Sequence, residues 1–345
     1  MPVRSFTDTS AVSLAYALGD GLTPADFSAK TFKFLPYTAE GFQMSKEAQA
    51  STAITSTRRT SGSKNTRGSA SGSATVEFGA VDFVRDMLSL ALMSNWADVT
   101  PGTPAAGQYL IDSDVKKFMA VEKTTKSGPL ATDVQYHERY YGTMVNDMTL
   151  EFGDASLITM AVNTISTFAD YANAAAGANG LGGSLATTAK VVPPAYEIAD
   201  SSNNLKSLIV KNAAGVPLEM TFSDASLQIQ NNVREQTGLG YEFAAGVGVG
   251  KVGVSLSGEV YFYDQTILAA HMTNQRLSAE MSIETAQGTY TITMPKLVAQ
   301  SPSNSAGGEN QDYKTSVTLT AEEGEVTIGG EVKNCAIAIV FVPKP

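Results

Sequence analysis

"SLSGEVYFYD", residues 255–264, closes a run in which Val252, Val254, Leu256, Val260 and Phe262 are apolar and Gly253, Ser255, Ser257, Glu259 and Tyr261 form the alternate row. A period of two is that of a strand buried on one face and open on the other. Far upstream, "SASGSATVEF", residues 69–78, repeats the pattern: Ala70, Ala74, Val76 and Phe78 alternate with Ser69, Ser71, Ser73, Thr75 and Glu77. With the shared Ser-x-Ser-Gly as anchor, Gly72 and Gly258 both fall on the apolar side. A helix is expected after each strand. Val81, Val84, Leu88, Ala91 and Leu92 recur at helical spacing in "VDFVRDMLSLALM", and Ile267, Leu268, His271 and Met272 do so in "TILAAHM". The chain therefore reads as two related halves, each a strand followed by a helix that covers one face of a sheet.

Working outward, "KKFMAVEKT" and "MVNDMTLEFG" are expected strands in the first half, and "RLSAEMSIET", "TYTITMPKL" and "KTSVTLTAE" in the second, with a hairpin turn at Gln287–Thr289. The fold class expected is α+β, mostly β, as two modules on largely antiparallel sheets. The first module spans 1–170 and the second 189–345. The nearly uncharged stretch 171–188, rich in small residues, is expected to link them. Residues 48–74, rich in Ser, Thr and Gly, carry Arg58, Arg59, Lys64 and Arg67 with no acidic residue, and read as a mobile basic loop leading into a strand. "FGDASL" at 152–157 and "FSDASL" at 222–227 sit at different places in the two halves and read as a chance match, a turn opened by Asp.

Composition bounds the function. At 345 residues, 43% of them hydrophobic, the chain is long enough for two cores. A formal charge of −10 opposes gripping nucleic acid through its phosphates, which requires a surface excess of Lys and Arg. An acidic chain repels DNA, which would be useful if DNA had to pass by without sticking. The single cysteine, Cys335, lies in the apolar run "CAIAIVFV" and is expected to be a small core residue. No run approaches the roughly 18 apolar residues of a membrane helix. "AVSLAYAL" follows Asp8 rather than a basic cluster, which argues against a signal peptide.

Chemistry-bearing motifs are weak. "GVGKVG", 248–253, fits Gly-x-Gly-x-x-Gly, but that fingerprint needs a helix directly after it to receive a pyrophosphate, and here a strand follows. A phosphate loop would need Gly and Ser or Thr where Ala245 and Val252 stand. His137 and His271 lie in different modules without Cys partners or carboxylates at ligand spacing, so no metal site is expected, and His271 reads as a satisfied core or interface residue. Neither Ser-x-Ser-Gly copy has the Gly-x-Ser-x-Gly form of a nucleophile elbow. Glu322 and Glu323 read as a solvated loop. No catalytic residue, cofactor or metal is expected.

The ordered set of these features resembles the major tail tube proteins of long-tailed, siphovirus-type bacteriophages, in the duplicated form where one polypeptide carries two tube domains. The resemblance rests on "YALGDGLTPADF" and "LPYT", on the Ser/Thr-rich hairpin region running into "SGSATVEFG" and its helix, and on "NDMTLEF". In the second half it rests on "SLSGEVYFY", "TYTITMPKL" and "ENQDYKTSVTLTA". It implies two tandem tube modules, each a β-sandwich or partial barrel with one flanking helix, closing into a large barrel on assembly. Each domain would lend about four strands, and three chains would make a ring of pseudo-sixfold symmetry. Partners implied are other copies of the chain in stacked rings, the tape measure protein and DNA in the bore, and the tail terminator and distal tail proteins, with no membrane insertion. The implied setting is the virion tail, assembled in the host cytoplasm.

On this reading Ser71, Ser73, Glu77, Ser255, Ser257 and Glu259 line the bore as small hydroxyls and carboxylates that phosphate does not grip. Arg58, Arg59, Lys64 and Arg67 belong to a loop that meets an acidic neighbouring subunit. Rival readings are another tube-forming component such as a tail terminator or secretion-system tube, a membrane β-barrel, which lacks its aromatic girdles here, and an enzyme with an unrecognised site.

Overall fold

The two alternating segments form strands that belong to a single sheet. The computed structural model describes residues 11–54, 56, 59, 62–127, 134–174, 183–306 and 308–344. In the first half the main elements are β1 (Val12–Gly19), β2 (Gln43–Ala50), β3 (Ser63–Glu77), α1 (Asp82–Ala91), β4 (Phe118–Lys126), β5 (Gln135–Phe152), β6 (Thr159–Ser166) and β7 (Phe168–Ala174). In the second they are β8 (Leu205–Lys211), β9 (Phe222–Gln230), β10 (Gly253–Tyr261), α2 (Thr266–Met272), β11 (Arg276–Glu284), β12 (Gly288–Ala306), β13 (Tyr313–Ala321) and β14 (Ala338–Pro343). The fold is α+β and mostly β, with the pairings that join these strands antiparallel throughout.

The pairing repeats from half to half. In the first, β1 pairs β4, β4 pairs β5, β5 pairs β6, β6 pairs β3 and β3 pairs β2, with β7 on the start of β5. In the second, β8 pairs β11, β11 pairs β12, β12 pairs β13, β13 pairs β10 and β10 pairs β9, with β14 on the start of β12. The ladder slips at matching places, between Asn163 and Thr164 on β6 opposite β5, and between Gln300 and Ser303 on β12 opposite β13. Each slip is a bulge that twists its strand.

β5 and β12 are the long members. The first half of β5 lies between β4 and β7, and its second half between β6 and β9. The change of layer falls near Gly142, whose φ of +53° is a left-handed value that favours glycine, and where a Cβ would come within 2.2 Å of the Thr167 hydroxyl. Because β9 pairs the end of β5, the halves share one sheet, in the order β2-β3-β6-β5-β9-β10-β13-β12.

One hydrophobic cluster runs beneath this sheet from Leu14 to Phe341. It takes in Ala70, Ala74, Val76 and Phe78 of the first half and Val254, Leu256 and Val260 of the second. Helix α1 buries Phe83, Val84, Met87, Leu88 and Leu90 on it, and α2 buries Ile267 and Ala270. Fully burying a Leu or Val side chain contributes about 1.5–3 kcal/mol, so this single face outweighs any surface contact in holding the layers together.

Several expectations are corrected. Of 48–74, read as a mobile loop leading into the strand at 69–78, Ala48–Ala50 and Ser63–Gly68 also lie in β2 and β3, where they pair as a hairpin. Of 171–188, read as a link, residues 171–174 continue β7 against β5. "FSDASL" is strand rather than turn, with Asp224 at a bulge opposite β10. Phe262 lies beyond the end of β10 and is half-buried, its ring 4.9 Å from that of Tyr313. The first half also holds a short helix, Pro24–Phe27, besides α1.

Candidate functional site

The face of the shared sheet opposite the core is a field of small polar side chains, set by register. One row across six strands runs Glu77, Thr159, Glu151, Ser226, Ser257, Thr318. The next runs Thr75, Ala161, Thr149, Gln228, Ser255, Thr320, and a third runs Ser73, Asn163, Asp147, Gln230. Ser71 stands opposite Ile165, and Glu259 opposite Ser316. All six residues expected to share a surface, Ser71, Ser73, Glu77, Ser255, Ser257 and Glu259, therefore lie on one face of one sheet, each half-buried while its neighbours in sequence are buried below. The contributions of β6, β5, β9 and β13 to this face were not singled out from sequence. Their Ser, Thr, Asn and Gln residues carry no motif, and only the pairing brings them into the rows.

The face is acid-biased. Glu77, Asp147, Glu151, Asp224 and Glu259 carry its charge. Across 68–77, 147–152 and the strands β6, β9, β10 and β13, Lys314 is the one basic side chain. Its Nζ lies 3.3 Å from Glu259 Oε2 and donates to Ser223 Oγ at 3.0 Å. The Glu259 hydrogen bond raises the Lys314 pKa. Asp147 accepts from Asn163 Nδ2 at 2.7 Å and from Asn146 Nδ2 at 3.1 Å, so its carboxylate is held flat by amides rather than by a cation.

Of the four basic residues expected in a loop, Arg58 lies outside the described residues. Arg59 and Lys64 are exposed. Arg67 pairs with Glu235 of its own chain, and nearby Lys46 pairs with Glu242. The 231–250 excursion thus packs on the β2–β3 hairpin, with Gly68 N–H donating to the Glu242 carbonyl at 2.7 Å and the Phe243 ring filling the space a Cβ on Gly68 would need. Sequence reading missed these partners, which lie roughly half the chain away.

A second polar cluster fastens the link between the halves. Glu122, fully buried on β4, accepts from Ser184 Oγ at 2.7 Å and from Leu185 N–H at 2.6 Å, and Lys190 Nζ lies 2.6 Å from it. Burial opposes its charge, but Lys190 and these donors outweigh burial and hold the carboxyl below the usual carboxylate range. His137 Nδ1 lies 3.1 Å from Thr124 Oγ1, and burial pushes this imidazole below its usual 6.5. Arg139 binds both oxygens of Asp170, at 2.5 and 2.7 Å, and donates to the Gly183 carbonyl at 2.8 Å. Both carboxylates of the cluster, Glu122 and Asp170, are occupied, while the buried His137 Nε2 has no hydrogen-bond partner among the described residues.

Among the described residues no group of three or more His, Cys, Asp or Glu is placed to hold a metal. His271 Nδ1 lies 2.8 Å from the Ala299 carbonyl. Cys335 is buried, and burial, with Asp112 nearby, pushes its thiol up to about 12. "GVGKVG" runs from a short strand, Gly246–Gly248, into β10 and opens no helix. No described helix is long and apolar enough to cross a membrane.

The chain is thus a mostly β protein with one polar, acid-biased sheet face whose end strands, β2 and the end of β12, are paired on one side alone among the described residues. A family model for phage tail tube proteins matches residues 9–321, and the chain belongs to that family. Membership carries a structural role in the virion tail. In a search of curated proteins nothing matched the chain.

Proposed function

We propose that this chain is a tail tube protein of the duplicated type, whose halves, 1–170 and 189–345, take adjacent and equivalent positions in one ring. Three copies form a homotrimer of pseudo-sixfold symmetry, and rings stack head to tail into the tube of a siphovirus-type tail. The tube conducts the genome from capsid to host and performs no catalysis of its own. Before ejection it houses the tape measure protein, and the tail terminator and distal tail proteins cap its ends.

The observation that carries this reading is the eight-strand sheet with a polar face and, among the described residues, an edge at either end that no strand covers. Each half gives it four strands, β2-β3-β6-β5 and β9-β10-β13-β12. A closed barrel of about 24 such strands, spaced about 4.8 Å and tilted near 45°, has a backbone diameter of roughly 50 Å and a bore of roughly 40 Å. Duplex DNA fits that bore. In this arrangement Ser71, Ser73, Glu77, Ser255, Ser257 and Glu259 face the lumen, where carboxylates and hydroxyls repel or ignore phosphate. The exposed Arg59 and Lys64, with Arg58 of the same basic stretch of sequence, then reach a neighbouring subunit.

Negative-stain microscopy of the purified protein tests the reading. Rings or tubes with a bore near that width are expected, and a density map that puts Glu77 and Glu259 on the outer wall overturns the lumen assignment. The triple variant Glu77→Lys, Glu151→Lys, Glu259→Lys is expected to assemble yet retain DNA that the parent tube does not.

A further inference from the structure

The repeat in topology contains its own template for how two copies meet. Inside the chain the open side of β5 is taken by β9, in the register Asp147↔Gln230, Met148↔Ile229, Thr149↔Gln228 and Leu150↔Leu227. This is the joint between the halves. Each of its two strands has an equivalent in the other half, and the shared pairings fix that equivalence residue by residue.

On one side, Gly72 pairs Thr164 and Gly258 pairs Val317, so β6 and β13 align at those residues. Counting through the matching bulges, Asn163 pairs Asp147 as Ser316 pairs Ser303. Asp147, Met148 and Thr149 of β5 thereby correspond to Ser303, Asn304 and Ser305 of β12. On the other side, Ala70, Ser69 and Gly68 pair Met44, Ser45 and Lys46, as Leu256, Ser255 and Val254 pair Leu227, Gln228 and Ile229. Met44, Ser45 and Lys46 of β2 thereby stand where Leu227, Gln228 and Ile229 stand in β9.

Both equivalent edges are unoccupied by any strand among the described residues. β2 pairs β3 on one side alone, and Ser303–Ser305 pair β13 on one side alone. Lys46 and Asn304 are exposed, whereas Ile229 and Met148, their counterparts in the closed joint, are buried. Ser45, Ser303 and Ser305 are exposed on the alternate row, where their counterparts Gln228, Asp147 and Thr149 are not buried either. Pro302, which brings no N–H, falls in the bulge, at the place of Asn146 in the closed joint, where an edge proline is tolerated. An open row of backbone donors and acceptors at each end of one sheet is an invitation to pair, and the ends differ, so the contact is head to tail and can close a ring.

Resting on the ring reading above, we propose that a second copy of this chain fills these edges in the register of the closed joint. β2 of one copy lies antiparallel to the end of β12 of the next, with Ser45 opposite Ser305, Lys46 opposite Asn304 and Glu47 opposite Ser303. The joint between copies is then the joint between halves, used again, and Met44 takes the buried place that Leu227 holds within the chain.

Directly opposed residues of antiparallel strands have Cα atoms about 4.5–5.5 Å apart, within the span of a disulfide. The test is oxidation of the full-length Ser45→Cys/Ser305→Cys protein under assembly conditions, with Cys335 left in place because it is buried. Most chains are expected to run as covalent oligomers on a non-reducing gel, and the Ser45→Cys/Ser303→Cys pair, two residues out of register, to stay mostly monomeric. Hydrogen exchange of Ser45–Glu47 and Ser303–Ser305 is expected to slow at least tenfold on assembly, a readout that needs no variant. Rings seen by microscopy with the out-of-register pair linking instead, or with neither pair linking, overturn the register and leave the ring reading standing. Covalent dimers from Ser45→Cys alone overturn the choice of edge, since β2 would then meet β2. A chain that stays monomeric by sedimentation under all assembly conditions sinks the ring reading itself.

Discussion

The two halves carry the same eight elements in the same order, yet they treat equivalent places differently. The open side of β5 is covered by β9, while the equivalent side of β12 at Ser303–Ser305 has no strand on it among the described residues. β9 lies between two strands, while its equivalent β2 has one neighbour. The acid on the outer layer also differs. Glu122 of β4 is sealed against Lys190, whereas Glu280 of the equivalent β11 meets Lys211 at 2.7 Å in partial exposure to solvent. Each half is thus completed by its own chain at one edge and left open at the other, the first at β2 and the second at the end of β12. Stability is concentrated where the chain completes itself, and the capacity to bind another copy where it does not.

The largest effect should come from breaking the sealed acid. Glu122→Ala leaves Lys190 and the Leu185 N–H buried without their partner, and removing one member of a buried pair costs about 3–5 kcal/mol. Glu280→Ala, at an exposed pair, should cost no more than about 1 kcal/mol. Urea denaturation of the two variants side by side measures the contrast, and equal losses would show that burial of Glu122 is not what matters.

The same cluster sets an acid limit. His137 is held below its usual 6.5, so the unfolded chain takes up the proton first, and its contribution is complete above pH 6.5 and declines as pH falls. Glu122 is held below its usual 4.5, so its contribution is present above that value and declines as pH falls through it. Stability should therefore drop in two legs on acidification, and Glu122→Ala should lose the lower leg while keeping the upper.

The next contrast sets the closed joint against the open edge. Leu227 is fully buried opposite Leu150, and Leu227→Ala should destabilise the monomer by about 2–5 kcal/mol. Met44 occupies the equivalent place on β2 and is only half-buried. Met44→Ala should shift the urea midpoint of the monomer far less, and should show its effect as a raised concentration threshold for ring formation by light scattering. Equal monomer destabilisation by both variants would mean that β2 is as complete as β9.

How much of this was legible in the sequence depends on the range of the interaction that fixes it. Ser-x-Ser-Gly with its alternating neighbours marked β3 and β10, and helical spacing marked α1 and α2, because local periodicity records which side is buried. The first half of β5, "QYHERYYGT" at 135–143, gave no such pattern. It lies between β4 and β7, so His137, Tyr140 and Tyr141 are all buried, and His137 Nδ1, Arg139 and the Tyr141 hydroxyl find their partners in Thr124 and Asp170, which no local window contains. The part of the 48–74 stretch before Ser69 was missed for the opposite reason. Its small polar residues look like a flexible loop because β3 has little to bury there, with Gly68 backed by the Phe243 ring. The six residues proposed for the lumen were legible as alternate positions, but that they share one face depends on β9 joining β5, a pairing between residues far apart in the chain, such as Asp147 and Gln230.

The smallest expected effect concerns the lone amine on the open face. Lys314 is exposed and pairs across strands with Glu259, so solvent screens the pair and Lys314→Ala should leave the melting temperature within experimental error. The hydrogen bond raises the Lys314 pKa, so what it contributes is present throughout the neutral range and is lost only as pH rises beyond the usual lysine value. Its removal nevertheless makes the face uniformly anionic, and frees Glu259, which stands opposite Asp224. If the face lines a bore, the variant tube should retain DNA no better than the parent, and the dependence of DNA retention on salt should flatten, because the one phosphate-attracting group has gone. If the face merely meets solvent, Lys314→Ala and a lysine removed from the outer layer, such as Lys211→Ala, should be indistinguishable in that assay. The pair of variants therefore separates a lumen wall from an ordinary surface with no change in fold or assembly to confuse the comparison.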